Sequence, residues 1–163
     1  MILYVDSSAL VKCYLRERGT DAMIERLGAK ERAFSSLLTF AEVHRALAQR
    51  MLHMRPRGET PEQARRSFET ARDAFHLDWM FSLNVVEMTA QTLSNLPNLV
   101  ERFGVLRAAD AIQLASALWL RDMARLSLSS EGDDQNIDFV TADRKLIPVA
   151  RACGLTVFDP ETA

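Results

Sequence analysis

The sequence predicts an α/β fold, a mostly parallel five-stranded sheet flanked by helices. Three observations carry this expectation. Short apolar runs of strand length alternate with stretches of helical periodicity along the chain. Apolar residues make up 48% and charged residues 26%, the ordinary balance of a globular protein with a full core. The chain has 163 residues, no internal repeat and no Gly- or Pro-rich linker, which reads as one domain over 1–163.

Residues 2–6, Ile-Leu-Tyr-Val-Asp, are too short for a helix and suit a buried parallel strand ending in an acid. Ser7 to Arg16 has apolar residues at helical spacing, with Gly19 as its stop, and 20–27 gives a second short helix. Residues 33–37 form the second strand. Thr39-Phe40-Ala41-Glu42 has the form of a capping box and predicts a helix from Thr39 to His53. A loop at 54–58 leads to Thr60-Pro61-Glu62, where Pro at the first helical position starts a helix running to about Asp78. Ser82 to Val86 is the third strand, and 87–96 is a helix interrupted by Pro97. Arg107 to Leu126 has almost no polar face and predicts a buried helix. Residues 129–136 form an acidic loop, 137–141 the fourth strand, 143–153 a short helix and 155–158 the fifth strand.

Composition also excludes several function classes. No run approaches the roughly 18 apolar residues of a membrane span, and the N-terminus lacks the pattern of a secretory signal. Cys13 and Cys153 have no metal-site spacing and read as reduced cytosolic thiols, which places the protein in the cytoplasm. The net charge of -2 argues against a protein that coats nucleic acid by charge alone. The glycines are scattered, so no phosphate-binding Gly-rich loop is present. His44, His53 and His76 accompany no nucleophile motif. A phosphoacceptor receiver would need paired acids after the first strand, and Asp6 stands without an adjacent acid.

Four acids fall at junctions between elements: Asp6 after the first strand, Glu42 early in the following long helix, Asp110 at the start of the buried helix and Asp143 after the fourth strand. Each has a local reading. Asp6 and Asp143 could cap helices, Glu42 could complete the capping box, and Asp110 could pair with Arg107. Taken together these readings weaken, because ligand sites in open parallel sheets lie beyond the carboxyl ends of the strands. Like charges gathered there repel by about 1 kcal/mol per pair at 4 Å in water, and by more when partly buried. Such a cluster suits a hard cation, Mg²⁺ or Mn²⁺. Asp138 and the loop acids Glu131, Asp133 and Asp134 compete for the fourth place, and Asp143 is preferred to Asp138, which falls at the start of its strand.

Val5-Asp6-Ser7-Ser8-Ala9-Leu10, Glu42 in Thr39-Phe40-Ala41-Glu42-Val43, Asp110 in 107–115 and Asp143 in Phe139-Val140-Thr141-Ala142-Asp143 occur in an order and spacing that resembles the PIN-domain family, in particular VapC-type toxins. The resemblance implies a three-layer PIN fold and a metal-dependent ribonuclease using Asp6, Glu42, Asp110 and Asp143. Ser8 and Thr141 match positions that support those carboxylates. It further implies a small cognate antitoxin and a homodimer. The chemistry would be phosphodiester hydrolysis assisted by one or two metal ions, with Asp6 and Asp110 as direct ligands.

Basic residues near those acids are candidates for holding RNA: Lys12, on the first helix, Arg45, one turn beyond Glu42, and Arg144, beside Asp143. Met51 and Met54, beside the 56–58 loop, are candidates for antitoxin contact, while Leu47 and Phe68 read as core. Two other readings remain open: a PIN nuclease that processes RNA outside any toxin pair, and a PIN-like binding module without catalysis.

Overall fold

In a computed structural model, the structure describes residues 2–29, 32–53, 58–127 and 137–163. Five strands, β1 (Ile2–Val5), β2 (Arg32–Ser36), β3 (Asn84–Val86), β4 (Ile137–Val140) and β5 (Thr156–Phe158), form one sheet in the order β3-β2-β1-β4-β5. Every pairing is parallel. In β1 and β4 the alternation is clean. Ile2, Tyr4, Ile137 and Phe139 face one layer, while Leu3, Val5 and Val140 face the other. The central strand is therefore apolar on both sides, as a sheet covered on both faces requires.

One layer is built from α1 (Ser7–Leu10), α2 (Thr20–Gly28), α3 (Leu37–His53) and α4 (Pro61–Phe81). The other holds α5 (Leu96–Arg102), α6 (Ala108–Ser127) and α7 (Leu146–Ala152). The chain leaves β1 toward the first layer and β4 toward the second. The order of strands thus reverses between β1 and β4, the position at which open parallel sheets carry their ligand sites. None of the helices among the described residues is long and apolar enough to cross a membrane.

Several expected boundaries shift for local reasons. The first helix is only four residues of α-helix, followed by a 3₁₀ turn over Val11–Cys13. Gly19 does not stop that helix. It sits at φ +88° just before α2, and a Cβ there would stand 2.7 Å from the Pro160 carbonyl oxygen. Helix α3 starts at Leu37 rather than Thr39, and the Ser36 hydroxyl accepts from the Leu38 amide at 3.1 Å. Thr39 therefore caps nothing. Pro61 does open α4, where Thr60 and Gln63 form a reciprocal capping box, and the helix continues to Phe81.

No helix forms over 87–95. Thr89 and Thr92 exchange side-chain-to-backbone hydrogen bonds of 2.8 and 3.2 Å, which hold the backbone in turns. Pro97 then lies in the first turn of α5 instead of interrupting a helix, because its missing N–H costs nothing there. The 54–57 part of the predicted loop, with Met54, and the acidic 129–136 loop lie outside the described residues.

Candidate active site

Asp6 is the first residue after β1, and its backbone N–H extends the ladder by donating to Val140 O at 2.9 Å. The residue is 4% exposed. Oδ1 accepts from the Ser7 backbone N–H at 2.8 Å, which is the capping role expected of an acid before a helix. Oδ2 accepts from Ser8 Oγ at 2.7 Å and from Thr141 Oγ1 at 2.9 Å. The parallel register sets Val5 beside Val140, so the residues that follow, Asp6 and Thr141, fall side by side. Burial pushes the Asp6 pKa up, the two hydroxyl bonds pull it back, and the negative charge of Glu42 pushes it up again.

Glu42 lies in the second turn of α3, half-buried. Its carboxylate does not fold back to a helix cap. Oε2 accepts from Gln113 Nε2 at 2.7 Å, so the local reading of Glu42 as part of a capping box is replaced by a contact across the two helical layers. Asp110 is the third residue of α6 and half-buried. Its pKa is raised, first by burial and next by the charge of Asp143, with Glu42 adding a smaller push. A backbone hydrogen bond at Arg107 and the Arg107 charge act in the opposite direction. Asp143 follows β4, and its Oδ1 accepts from the Lys145 N–H at 2.8 Å in a local turn.

The four acids are thus linked by charge. Asp6 is influenced by Glu42, and Asp110 by both Glu42 and Asp143. Asp138 stands apart from them, inside β4, where it is ion-paired with Arg26. Glu131, Asp133 and Asp134 lie outside the described residues. Among the described residues, no three acid, imidazole or thiol side chains stand close enough to make a ready ligand group. Even so, the donor set fits a small hard cation. It is all oxygen, it carries unbalanced negative charge, and Mg²⁺ commonly takes one or two carboxylates while keeping several waters.

The basic residues divide differently from the sequence expectation. Lys12 is 3% exposed, and its ammonium reaches Glu17 Oε1 at 2.9 Å, Glu161 Oε1 at 2.8 Å and the Arg18 carbonyl at 3.0 Å. An ammonium has three hydrogens, so none is left for a phosphate. The proposed RNA contact by Lys12 is corrected accordingly: the residue is an internal tie. Arg45 is exposed on α3. Arg144 is exposed and stands 3.7 Å from Glu161, a surface pair that a stronger anion can displace.

Met51 is half-buried and lines a cavity of about 200 Å³ with Tyr14, Leu47 and Phe68. The sequence reading overlooked Gln113. The available signal was a lone amide within the apolar run 108–118.

A family model described as PIN domain matches residues 3–152. No curated protein matches the chain. Among solved structures, the fold is similar to that of FitAcB from Neisseria gonorrhoeae, at 16% identity and a TM-score of 0.56, with 98% of each chain covered. It is similar to VapBC2 from Rickettsia felis bound to a DNA fragment from their promoter, at 13% identity and a TM-score of 0.57, again with 98% of each chain covered. VapBC-1 from nontypeable Haemophilus influenzae, at 18% identity, aligns over 98% of each chain with a TM-score of 0.55.

Proposed function

The chain belongs to the PIN domain family, and from that membership we propose that it is a metal-dependent ribonuclease of the toxin kind. It cuts RNA phosphodiester bonds at its acid-lined edge and is silenced by a small cognate antitoxin. The observation that carries the reading is the convergence of four acids: Asp6 is hydrogen-bonded to Thr141, two residues before Asp143, and Glu42 to Gln113, one turn from Asp110, with charge coupling among the four adding to the raised pKa values of Asp6 and Asp110. Such coupling is unfavourable in the bare protein and becomes useful once a cation is held.

Mg²⁺ or Mn²⁺ bound there supplies charge neutralisation at the phosphate and acidifies a water. The chain's own residues do the rest. Ser7, Ser8 and Thr141 fix the Asp6 carboxylate, so its orientation costs nothing when the cation arrives. Asp110 and Asp6 would hold the cation directly. Glu42 and Asp143 would complete the negative field by binding it or orienting its waters. Arg45 and Arg144 engage the RNA backbone in a salt-dependent way.

The toxin setting draws on the likeness to VapBC and FitAcB structures, with Met51 as an antitoxin contact. Self-association as a homodimer belongs to the same proposal, supported by the exposed Leu77, Met80 and Phe81 near the end of α4.

The test is cleavage of a single-stranded RNA by the purified chain, freed of any inhibitor. Cleavage is expected with Mg²⁺ or Mn²⁺ and is expected to stop in EDTA, with Asp6→Asn and Asp110→Asn at background while still melting cooperatively. Undiminished cleavage in EDTA overturns the metal chemistry. Harmless expression of the active nuclease in cells overturns the toxin setting and favours an RNA-processing role.

A further inference from the structure

Gln113 is 1% exposed, one helical turn beyond Asp110 on α6, and its amide is held on both sides. Oε1 accepts from the Tyr4 hydroxyl at 2.9 Å. Nε2 donates to Thr39 Oγ1 at 2.9 Å and to Glu42 Oε2 at 2.7 Å. Thr39 Oγ1 in turn lies 2.8 Å from Ser35 Oγ, and Ser35 Oγ lies 2.7 Å from the Val5 carbonyl. Tyr4, Ser35 and Thr39 are all buried, so each of these groups has exchanged water for a protein partner.

The Ser35 hydroxyl shares its one proton between the Val5 carbonyl and Thr39 Oγ1, and a carboxylate only accepts. Gln113 must therefore present its NH₂ group to Glu42 and, with it, to Thr39 Oγ1. Turning the amide over would set Oε1 against the Glu42 carboxylate. The amide therefore has one stable orientation, and in it one N–H is left pointing at Glu42.

We infer that Gln113 is a positioning residue for the nuclease reaction. It fixes the Glu42 carboxylate toward the edge shared with Asp6 and Asp110, and it keys that orientation through Thr39 and Ser35 to the Val5 peptide that leads into Asp6. The inference rests on the nuclease reading of the site. It makes three elements agree through one side chain. Strand β1 carries Tyr4 and the Val5 carbonyl, α3 carries Thr39 and Glu42, and α6 carries Gln113 and Asp110. An apolar residue in place of Gln113 would fill the space and leave Glu42 without the amide donor.

The experiment compares the wild-type chain with Gln113→Met and with the isosteric Thr39→Val. Asp6→Asn serves as the reference for a lost site. Two readouts are taken: the Mn²⁺ concentration that gives half of the cation-induced rise in melting temperature, without RNA, and kcat and KM for RNA cleavage. Gln113→Met is expected to raise the half-saturating Mn²⁺ concentration and to lower kcat, each by about 10–100-fold, the usual cost of removing a group that orients a metal-binding residue. KM for RNA should change less than about two-fold, since no contact to RNA is lost.

Thr39→Val should move both readouts in the same direction by less, and it keeps the inference testable if Gln113→Met fails to fold. A purely structural role predicts lower melting temperatures in EDTA with the Mn²⁺ dependence and kcat unchanged, and that result overturns the inference. If Asp6→Asn cleaves like the wild type, the nuclease reading itself fails. A dead Asp6→Asn beside a fully active Gln113→Met leaves that reading standing and removes only Gln113.

Discussion

Asp110 shows how one carboxyl can report on the whole site. Its pKa is raised chiefly by burial and then by Asp143, and that of Asp6 is raised chiefly by burial with Glu42 adding to it. Loss of water leads and repulsion between the acids follows. The sign of the pH dependence is the same for both causes. An unfolded aspartic acid titrates near about 3.9, while the folded state keeps its proton to higher pH. The stability gained from that retained proton is complete below the unfolded value and is lost as pH climbs through the raised folded value. In EDTA, Asp110→Asn should therefore melt above the wild type at pH 7.5, and the difference should shrink toward pH 4.5. Millimolar Mg²⁺ should stabilise the wild type at pH 7.5 by mass action and the variant much less. Scanning calorimetry on both proteins checks this. A lower melting temperature for Asp110→Asn, with an intact Mg²⁺ response, would make Asp110 merely a favourable residue at a helix start.

At the scale of elements, the α3–α4 pair carries an internal acid sensitivity. His44 on α3 and His76 on α4 meet with their Nε2 atoms 2.8 Å apart, so one imidazole donates and the other accepts. Phe40 packs on both rings, edge-on to His44 and stacked on His76, and Phe75 adds a third aromatic face. Burial lowers the His44 pKa, and His76 and Arg72 lower it further. An unfolded histidine takes its proton near about 6.5, before the folded one does. The contribution of this contact is therefore present above the unfolded value and is lost as pH falls below it toward the folded value. His44→Phe should flatten the fall in stability between pH 7 and pH 5, measured by urea unfolding at each pH. An unchanged slope would show that the two helices hold together regardless of the imidazole contact.

Across the whole molecule, the sheet order places the acids and the C-terminal segment ties the first layer together. After β5 the chain passes Gly19, whose missing Cβ admits the Pro160 carbonyl, and delivers Glu161 to Lys12. The Lys12 ammonium holds Glu161 and Glu17 at once and lowers the Glu161 pKa. Lys12→Met should cost about 2 kcal/mol through the lost charged hydrogen bonds. It should leave the binding of single-stranded RNA in EDTA unchanged, whereas Arg45→Ala and Arg144→Ala should each weaken that binding. Fluorescence anisotropy and urea unfolding separate the two effects. A Lys12→Met protein of full stability with weaker RNA binding would return Lys12 to the substrate side.

The sequence alone sets the strands, the parallel α/β arrangement and the positions of four acids at element junctions. Those features rest on local periodicity, and the apolar run at 2–5 allows little else between two helical layers. It also determined the Pro61 helix start, because a proline's fixed φ and missing N–H act within one turn. The contacts of Glu42, Thr39, Gln113 and Lys12 come from tertiary packing alone. A Thr-x-x-Glu pattern is a valid cap in isolation, but Ser36 supplies the cap in the folded chain. Thr39 and Glu42 turn instead toward Gln113, which lies on the opposite side of the sheet order and far along the chain. Lys12 reads as a surface cation until the C-terminus brings Glu161 to it across the fold. A side chain's partner is set by which distant element packs over it, and periodicity carries no information about that choice.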